Sequence, residues 1–422
     1  MESNKTINIF TSKVGMTIEN PWAGLASYED PASSERKLKF CGRDDDTYDM
    51  VKLISKNVFV TLYGKSGIGK TSLLNAGVFP ELREKQYTPI SLRLGILKPT
   101  KGPSYQSIII DAIKRASAHI VEFNVIDEQT NEKSDDYLWN FFARHRFFDI
   151  NDNPTSPALV LDQFEEVLRT HSKDGEILLR QINYLNDKDN TIDRQEIDGT
   201  TYYYKQNFRV VISIREDDLY RLEDCISRNF LPSLRRCRYH LMPLNDDQAE
   251  LVIREPISGF VSREVAKDII CKVTKSNADD FELGDGIPQK EVDSALLSLF
   301  LSELFERWKA SGLDTITSNL VKEIGDDIIS SFYENAIANI SAQSVEYLER
   351  RLVTDDEIRD SMFESRAIRG GVSKDDLDYL KQKHIIHTIP WADNLERIEL
   401  VHDILCPVVK KRKEQRALKE QE

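Results

Sequence analysis

Apolar and polar positions change period along the chain. Short apolar-rich runs occur at Val58–Tyr63, Pro89–Leu94, Ala158–Leu161, Phe208–Ile214 and Tyr239–Met242. Polar or glycine-containing stretches bound each run, which suits strands buried on both faces. The intervening segments Thr71–Lys85 and Ser104–Val121 are long enough to hold helices. That alternation predicts an α/β unit: a mostly parallel sheet with crossover helices on both faces. Two polar stretches interrupt it, Asn124–Asp136 and Asn186–Gln206, and the Asp-Gly pair in the second is a hairpin-turn signal.

From Asp246 the apolar spacing becomes three and four. It does so in "DDQAELVIREPI", "SALLSLFLSELFERW" and "DDIISSFYENAIANI", which predicts a helical domain. From Val345 to Cys406, short helical patterns precede two brief strand signals, "HIIHTIP" and "RIELVHDIL", as in a small winged-helix unit. The last residues, "VVKKRKEQRALKEQE", read as a charged, solvated helix end without an apolar face. At the other end the first 18 residues are polar and read as loosely ordered. "NPWAGLASYED" then reads as an extended arm with Trp22 and Tyr28 as packing anchors. The expected organisation is an arm at 1–44, the α/β domain at 45–245, a helical domain at 246–343, a winged-helix domain at 344–407 and a helical tail at 408–422.

Composition narrows the class. The chain has 422 residues, 40% hydrophobic and 30% charged, as in globular proteins. It holds no apolar run of about 18 residues and no leader-like start, so a cytoplasmic protein without a membrane partner is expected. A net charge of −14 argues against a broad nucleic-acid footprint. The five cysteines show no Cys-x-x-Cys spacing, which predicts reduced thiols and no zinc site.

The chemistry-bearing stretch is "GKSGIGKTS", which fits G-x-x-x-x-G-K-[ST] from Gly64 to Thr71. It follows a predicted strand and opens a predicted helix, the context a phosphate-binding loop requires. Glycines let backbone N–H groups approach phosphate, and the helix N-terminus adds positive potential. Gly64, Ser66, Gly67, Gly69, Lys70, Thr71 and Ser72 are the candidate nucleotide-binding set. Lys70 is expected to reach the β- and γ-phosphates of ATP, and Thr71 to ligate Mg²⁺. "ALVLDQFEEVL" delivers Asp162 beyond a buried strand, where it is the expected second Mg²⁺ holder. Glu165 or Glu166 is the candidate catalytic base; the other reading is that both serve the first turn of the next helix. Arg215, at the end of "FRVVISIR", is a candidate γ-phosphate sensor or else a partner of Glu216 or Asp217. Gly42 and Arg43 are candidate adenine-side residues.

These phrases together resemble the STAND NTPases, and within them the novel STAND NTPase 1 group. The resemblance runs from about Asn20 to Pro407. It rests on "NPWAGLASYEDPASSERKLKFCGRDDD", "GKSGIGKTSLLNAGVFPEL", "LVLDQFEEVL", "ISIREDDLYRLEDCISRNF" and "ELVHDIL". It implies an ATP-dependent switch: closed with ADP, open and homo-oligomeric with ATP, slowly hydrolytic, and coupled to effector and sensor domains or proteins in bacterial defence or signalling. It also implies that His402 contacts the β-phosphate of ADP. Ser294 departs from the proline often found before "ALL" in the family. No effector or sensor is recognisable in this stretch of sequence. The competing expectations are a winged-helix DNA-binding regulator and a P-loop phosphotransferase. Against the regulator, "SKDDLDYLKQK" alternates in charge sign, a poor match to DNA phosphates.

Overall fold

In the computed structural model, residues 19–34, 38–94, 103–122, 131–170, 172–186, 192–197, 200–205, 208–228, 230–274, 291–325, 327–391 and 395–421 are described. The strands are β1 (Phe59–Gly64), β2 (Tyr87–Leu92), β3 (His119–Glu122), β4 (His145–Phe148), β5 (Pro154–Leu161), β6 (Ile192–Ile197), β7 (Thr200–Lys205), β8 (Arg209–Arg215), β9 (Arg238–His240), β10 (Ser361–Phe363), β11 (Ile386–Trp391) and β12 (Leu395–Leu400).

The five apolar runs form one parallel sheet in the order β2-β5-β8-β1-β9. All six residues of β1 except Tyr63 are buried, as are the first six of β8, because helices cover both faces. Two apolar cores lie on opposite faces: one around Phe59, Ile109 and Phe208, the other around Met50, Leu62 and Leu73. β8 stands between β1 and β5, so the loop after β1 and the residue after β5 flank the end of a third strand. Gly64 pairs in register with Arg215, which brings those ends level.

Two features depart from the expected pattern. The helix that opens at Tyr105 stops at Ala116, and Val121 falls in β3 rather than in that helix. Ser117 closes the helix by donating from both N–H and hydroxyl to the Ile113 carbonyl. The chain then pairs antiparallel with β4, which borders the start of β5. The helix after the phosphate loop also widens into π geometry over Leu73–Val78 before Phe79–Glu84. Pro80 has no N–H to give the preceding turn, and the Phe79 N–H reaches Leu74 instead of Asn75. The expected hairpin forms as β6 and β7, its two turn residues lying outside the described ones.

A helical layer follows, opened by a capping box between Asn245 and Gln248. Its core gathers Ile253, Ile269, Leu301 and Trp308, and the arm's Trp22 is buried within it. Trp22 Nε1 donates to the Val252 carbonyl at 3.0 Å, so the arm staples this layer to the rest. The C-terminal part sets the helices Ala342–Leu352, Glu364–Arg369 and Lys374–Gln382 against a three-stranded antiparallel sheet ordered β10-β12-β11. Its core also takes in Leu25 of the arm and Leu299 of the helix Ser294–Ser311.

The last helix, Cys406–Gln421, is not a solvated end. Cys406 and Val409 are buried, and the basic side chains find acids on their own side of the molecule. Arg412 Nε donates to Glu349 at 3.0 Å, Arg416 also pairs with Glu349, Lys410 with Glu357, and Lys413 with Asp355. The charge run thus seats the helix, through partners distant in sequence. No helix among the described residues is long and apolar enough to cross a membrane.

Candidate nucleotide site

The loop Lys65–Gly69 leaves the C-terminal edge of the sheet with Gly67 and Gly69 at φ +75° and +98°. Both lie in the left-handed region that side-chain-bearing residues avoid. The helix begins at Lys70. Lys70 Nζ donates to the carbonyls of Gly64 and Lys65 at 2.9 and 3.0 Å, which folds the side chain back along its own loop. Burial pushes the Lys70 ammonium below its ordinary pKa, opposed by the nearby charges of Glu165 and Asp162. Ser66, Gly67, Gly69, Lys70, Thr71 and Ser72 all border one cavity of about 420 Å³. Gly64 lies beneath it; a Cβ there would meet the Leu241 carbonyl at 2.7 Å. Ser72 Oγ accepts the Tyr28 N–H at 3.1 Å, so it anchors the arm.

Asp162 is oriented by two hydroxyls. Thr71 Oγ1 donates to one carboxylate oxygen at 2.7 Å and Ser213 Oγ to the other at 2.6 Å. Thr71 and Asp162 offer a hydroxyl and a carboxylate side by side, a hard-oxygen set suited to Mg²⁺. Ser213 was not anticipated; a polar residue within the apolar run of β8 was its only signal.

The two glutamates part company. Glu165 is 6% exposed, borders the cavity, and accepts the Arg215 N–H at 3.3 Å. Burial pushes its carboxyl up to about 7, partly offset by Lys70. Glu166 turns away from the cavity and pairs with Arg93, whose Nε lies 3.2 Å from it. Arg215 borders the cavity from the end of β8. It pairs with Asp217 at 3.6 Å and more closely with Asp403 at 3.2 Å; Glu216 faces His240 instead.

The C-terminal part roofs the loop through His402 and Asp403. A Cβ on Gly67 would stand 2.1 Å from the His402 ring, so only glycine leaves room for that approach. His402 Nδ1 accepts the Ile404 N–H at 3.1 Å, which puts the neutral ring's hydrogen on Nε2. Nε2 is buried against the Gly67 backbone and makes no well-formed hydrogen bond among the described residues. Burial lowers the His402 pKa, which favours the neutral ring. Asp403 accepts from the Ser66 hydroxyl and pairs with Arg215 and with Arg359, the latter at 3.0 Å.

Arg43 reaches the cavity wall but is fully engaged. It donates to Met242 and Asp46 at 2.9 Å, and to the Ile68 carbonyl and Ser294 Oγ at 3.3 Å. It therefore ties the loop to the start of the helix Ser294–Ser311. Gly42 does not border the cavity; at φ +76° it fits against the Gln248 carbonyl, 2.5 Å from where a Cβ would sit. Arg93, Arg359 and Glu399 were missed by sequence reasoning.

A glycine loop at the end of an interior strand of the sheet, a Lys-Thr pair opening the next helix, and an aspartate held by that threonine define a P-loop nucleotide-binding protein. The chain belongs to the novel STAND NTPase 1 family, whose model matches residues 21–406. The fold resembles the Orc1 protein of Aeropyrum pernix in complex with DNA, at 14% identity and a TM-score of 0.42, over 88% of this chain and 93% of that one. It also resembles Cdc6p from Pyrobaculum aerophilum, at 15% identity and a TM-score of 0.41, over 93% and 100%. No curated protein matches.

Proposed function

We propose that this NTPase is a molecular switch, held closed by ADP and opened by ATP, with slow hydrolysis returning it to the closed state. The observation that carries the reading is the His402 ring. It is buried against the Gly67 backbone of the phosphate loop, and its Nε2–H makes no well-formed hydrogen bond there. A neutral donor at that place suits a phosphate oxygen, and it comes from the C-terminal part rather than from the sheet domain.

The nucleotide supplies the phosphoanhydride to be cleaved, and Mg²⁺ supplies charge compensation for it. Lys70 and the loop N–H groups bind phosphate; Thr71 and Asp162 hold the metal. Glu165, not Glu166, is the base, because Glu165 faces the cavity while Glu166 is bound to Arg93. Arg215 shares its guanidinium with Asp403 in the docked arrangement and becomes available to a γ-phosphate when Asp403 leaves. The helices from Ala342 and the sheet β10-β12-β11 act as a winged-helix lid. Opening then exposes surfaces for homo-oligomer assembly and for effector and sensor partners in a cytoplasmic defence or signalling role.

The first test is to denature the purified chain and identify the released nucleotide. ADP at near one per chain is expected. A chain that is purified without nucleotide and binds ADP no better than ATP would overturn the reading.

A further inference from the structure

A second set of charges joins the sheet domain to the C-terminal part, and Arg359 links it to Asp403 over the phosphate loop. Arg93, the residue after β2, spreads its guanidinium between two carboxylates. Nε donates to Glu166 at 3.2 Å, while Nη2 bonds Glu166 and also Glu399 at 3.0 Å. Glu166 stands in the first turn of the helix Glu165–Thr170, directly after the Asp162 strand. Glu399 stands in β12, the middle strand of the C-terminal sheet. His387 faces it across the β11–β12 ladder with Nε2 at 3.1 Å, and Arg359 lies 3.5 Å away. Burial alone would raise the Glu399 carboxyl; the His387 hydrogen bond and the two arginines outweigh it and hold it at about 2.

We propose that Arg93 is a positioning residue that couples docking of the C-terminal sheet to the placement of the helix Glu165–Thr170, forming a second latch beside the His402 contact. Two observations carry this. First, the charges divide cleanly on opening. Arg93 keeps Glu166 on one side, and Glu399 keeps Arg359 and His387 on the other. Breaking a buried pair is costly chiefly when it strands a charge. Here none is stranded, so the contact can open and re-form, as a switch requires. Second, the helix it holds is only six residues long, too short to define its own position. Arg93 holds Glu166 on the side away from the cavity, while the adjacent Glu165 borders it. The latch needs no particular nucleotide and so extends beyond the switch reading.

The test is amide hydrogen exchange on the full chain stripped of nucleotide, in Glu399→Gln, Arg93→Gln and the double variant. Glu399→Gln keeps the side-chain volume, while Arg93→Gln shortens the side chain and removes its charge. Each single change is expected to lower protection of the Glu166–Leu168 amides about five- to tenfold. The double variant should lose no more than Arg93→Gln alone, because that change already removes the Arg93–Glu399 contact. Unchanged protection in Glu399→Gln overturns the proposal, and so do additive losses. A loss that extends to the β1 amides also counts against it, since a latch acts at the interface alone. Nucleotide content bears only on the switch, and these exchange patterns bear only on the latch, so the two can fail separately.

Discussion

Lys70 and Glu165 lie on the same cavity, and each tempers the other's charge. Burial disfavours the ionised form of both, while their mutual attraction favours it. Removing Lys70 takes away the buried cation that borders the phosphate cavity. Lys70→Ala is expected to weaken ATP binding at least tenfold, from about 1.5–3 kcal/mol for a charge-assisted bond; calorimetric titration checks it. Glu165→Gln should lower turnover by about 10²–10⁴, whereas Glu166→Gln, which faces Arg93, should lower it far less. Equal effects of the two changes on phosphate release would refute the assignment of the base. The acid–base behaviour follows from the same burial. The folded-state pKa of Glu165, about 7, lies above the ordinary 4.5. The stability from its neutral form is therefore full below 4.5 and lost as pH rises through 7. The base form gains in the same window, so kcat/KM should climb through about pH 7, and that limb should vanish in Glu165→Gln.

At the scale of elements, the last helix shows how a charge run becomes a packed piece. Glu349 on the helix Ala342–Leu352 is 2% exposed and receives Tyr333 OH and Arg412, both at 3.0 Å. Arg416 joins them. Glu349→Ala would leave two arginines facing a buried hydroxyl. Both arginines remain about one-third exposed, so water takes back part of their charge. The expected loss is about 2 kcal/mol, read as a lower urea midpoint for the C-terminal part. Glu414→Ala, on the same helix in an exposed position, should leave that midpoint unchanged. The basic run looked solvated because its acids stand 53 to 67 residues away in the chain.

For the whole molecule, the decisive contact is between parts far apart in sequence. His402 touches the phosphate loop only while the C-terminal part is docked, so any bond it makes to a ligand favours the docked arrangement. A differential affinity of that kind is what shifts a conformational equilibrium. His402→Ala is expected to speed ADP release about ten- to a hundredfold, from the loss of one bond at about 1.5–3 kcal/mol. It should also form larger assemblies in ATP by light scattering. His119→Ala, at the far edge of the sheet, is the control, because His384 and His387 both border the cavity. If ADP release and size match the parent chain, His402 is an ordinary buried histidine.

The parallel sheet, the glycine loop and Asp162 were legible in the sequence because their signals are local. A buried strand needs a continuous apolar run, and phosphate binding needs Gly, Lys and Thr at fixed spacing directly after it. The family resemblance pointed to His402 before any geometry did. The choice between Glu165 and Glu166 was not legible. Two adjacent carboxylates read alike until Arg93, 73 residues earlier, takes one of them. Arg93, Glu399 and Arg359 carry no periodic or motif signal, since a long-range ion pair is a relation between positions and leaves no local trace. The seating of the final helix and the departure of Val121 into a strand share that reason. Local chemistry writes itself into spacing; electrostatic pairing across domains exists only once the chain has folded.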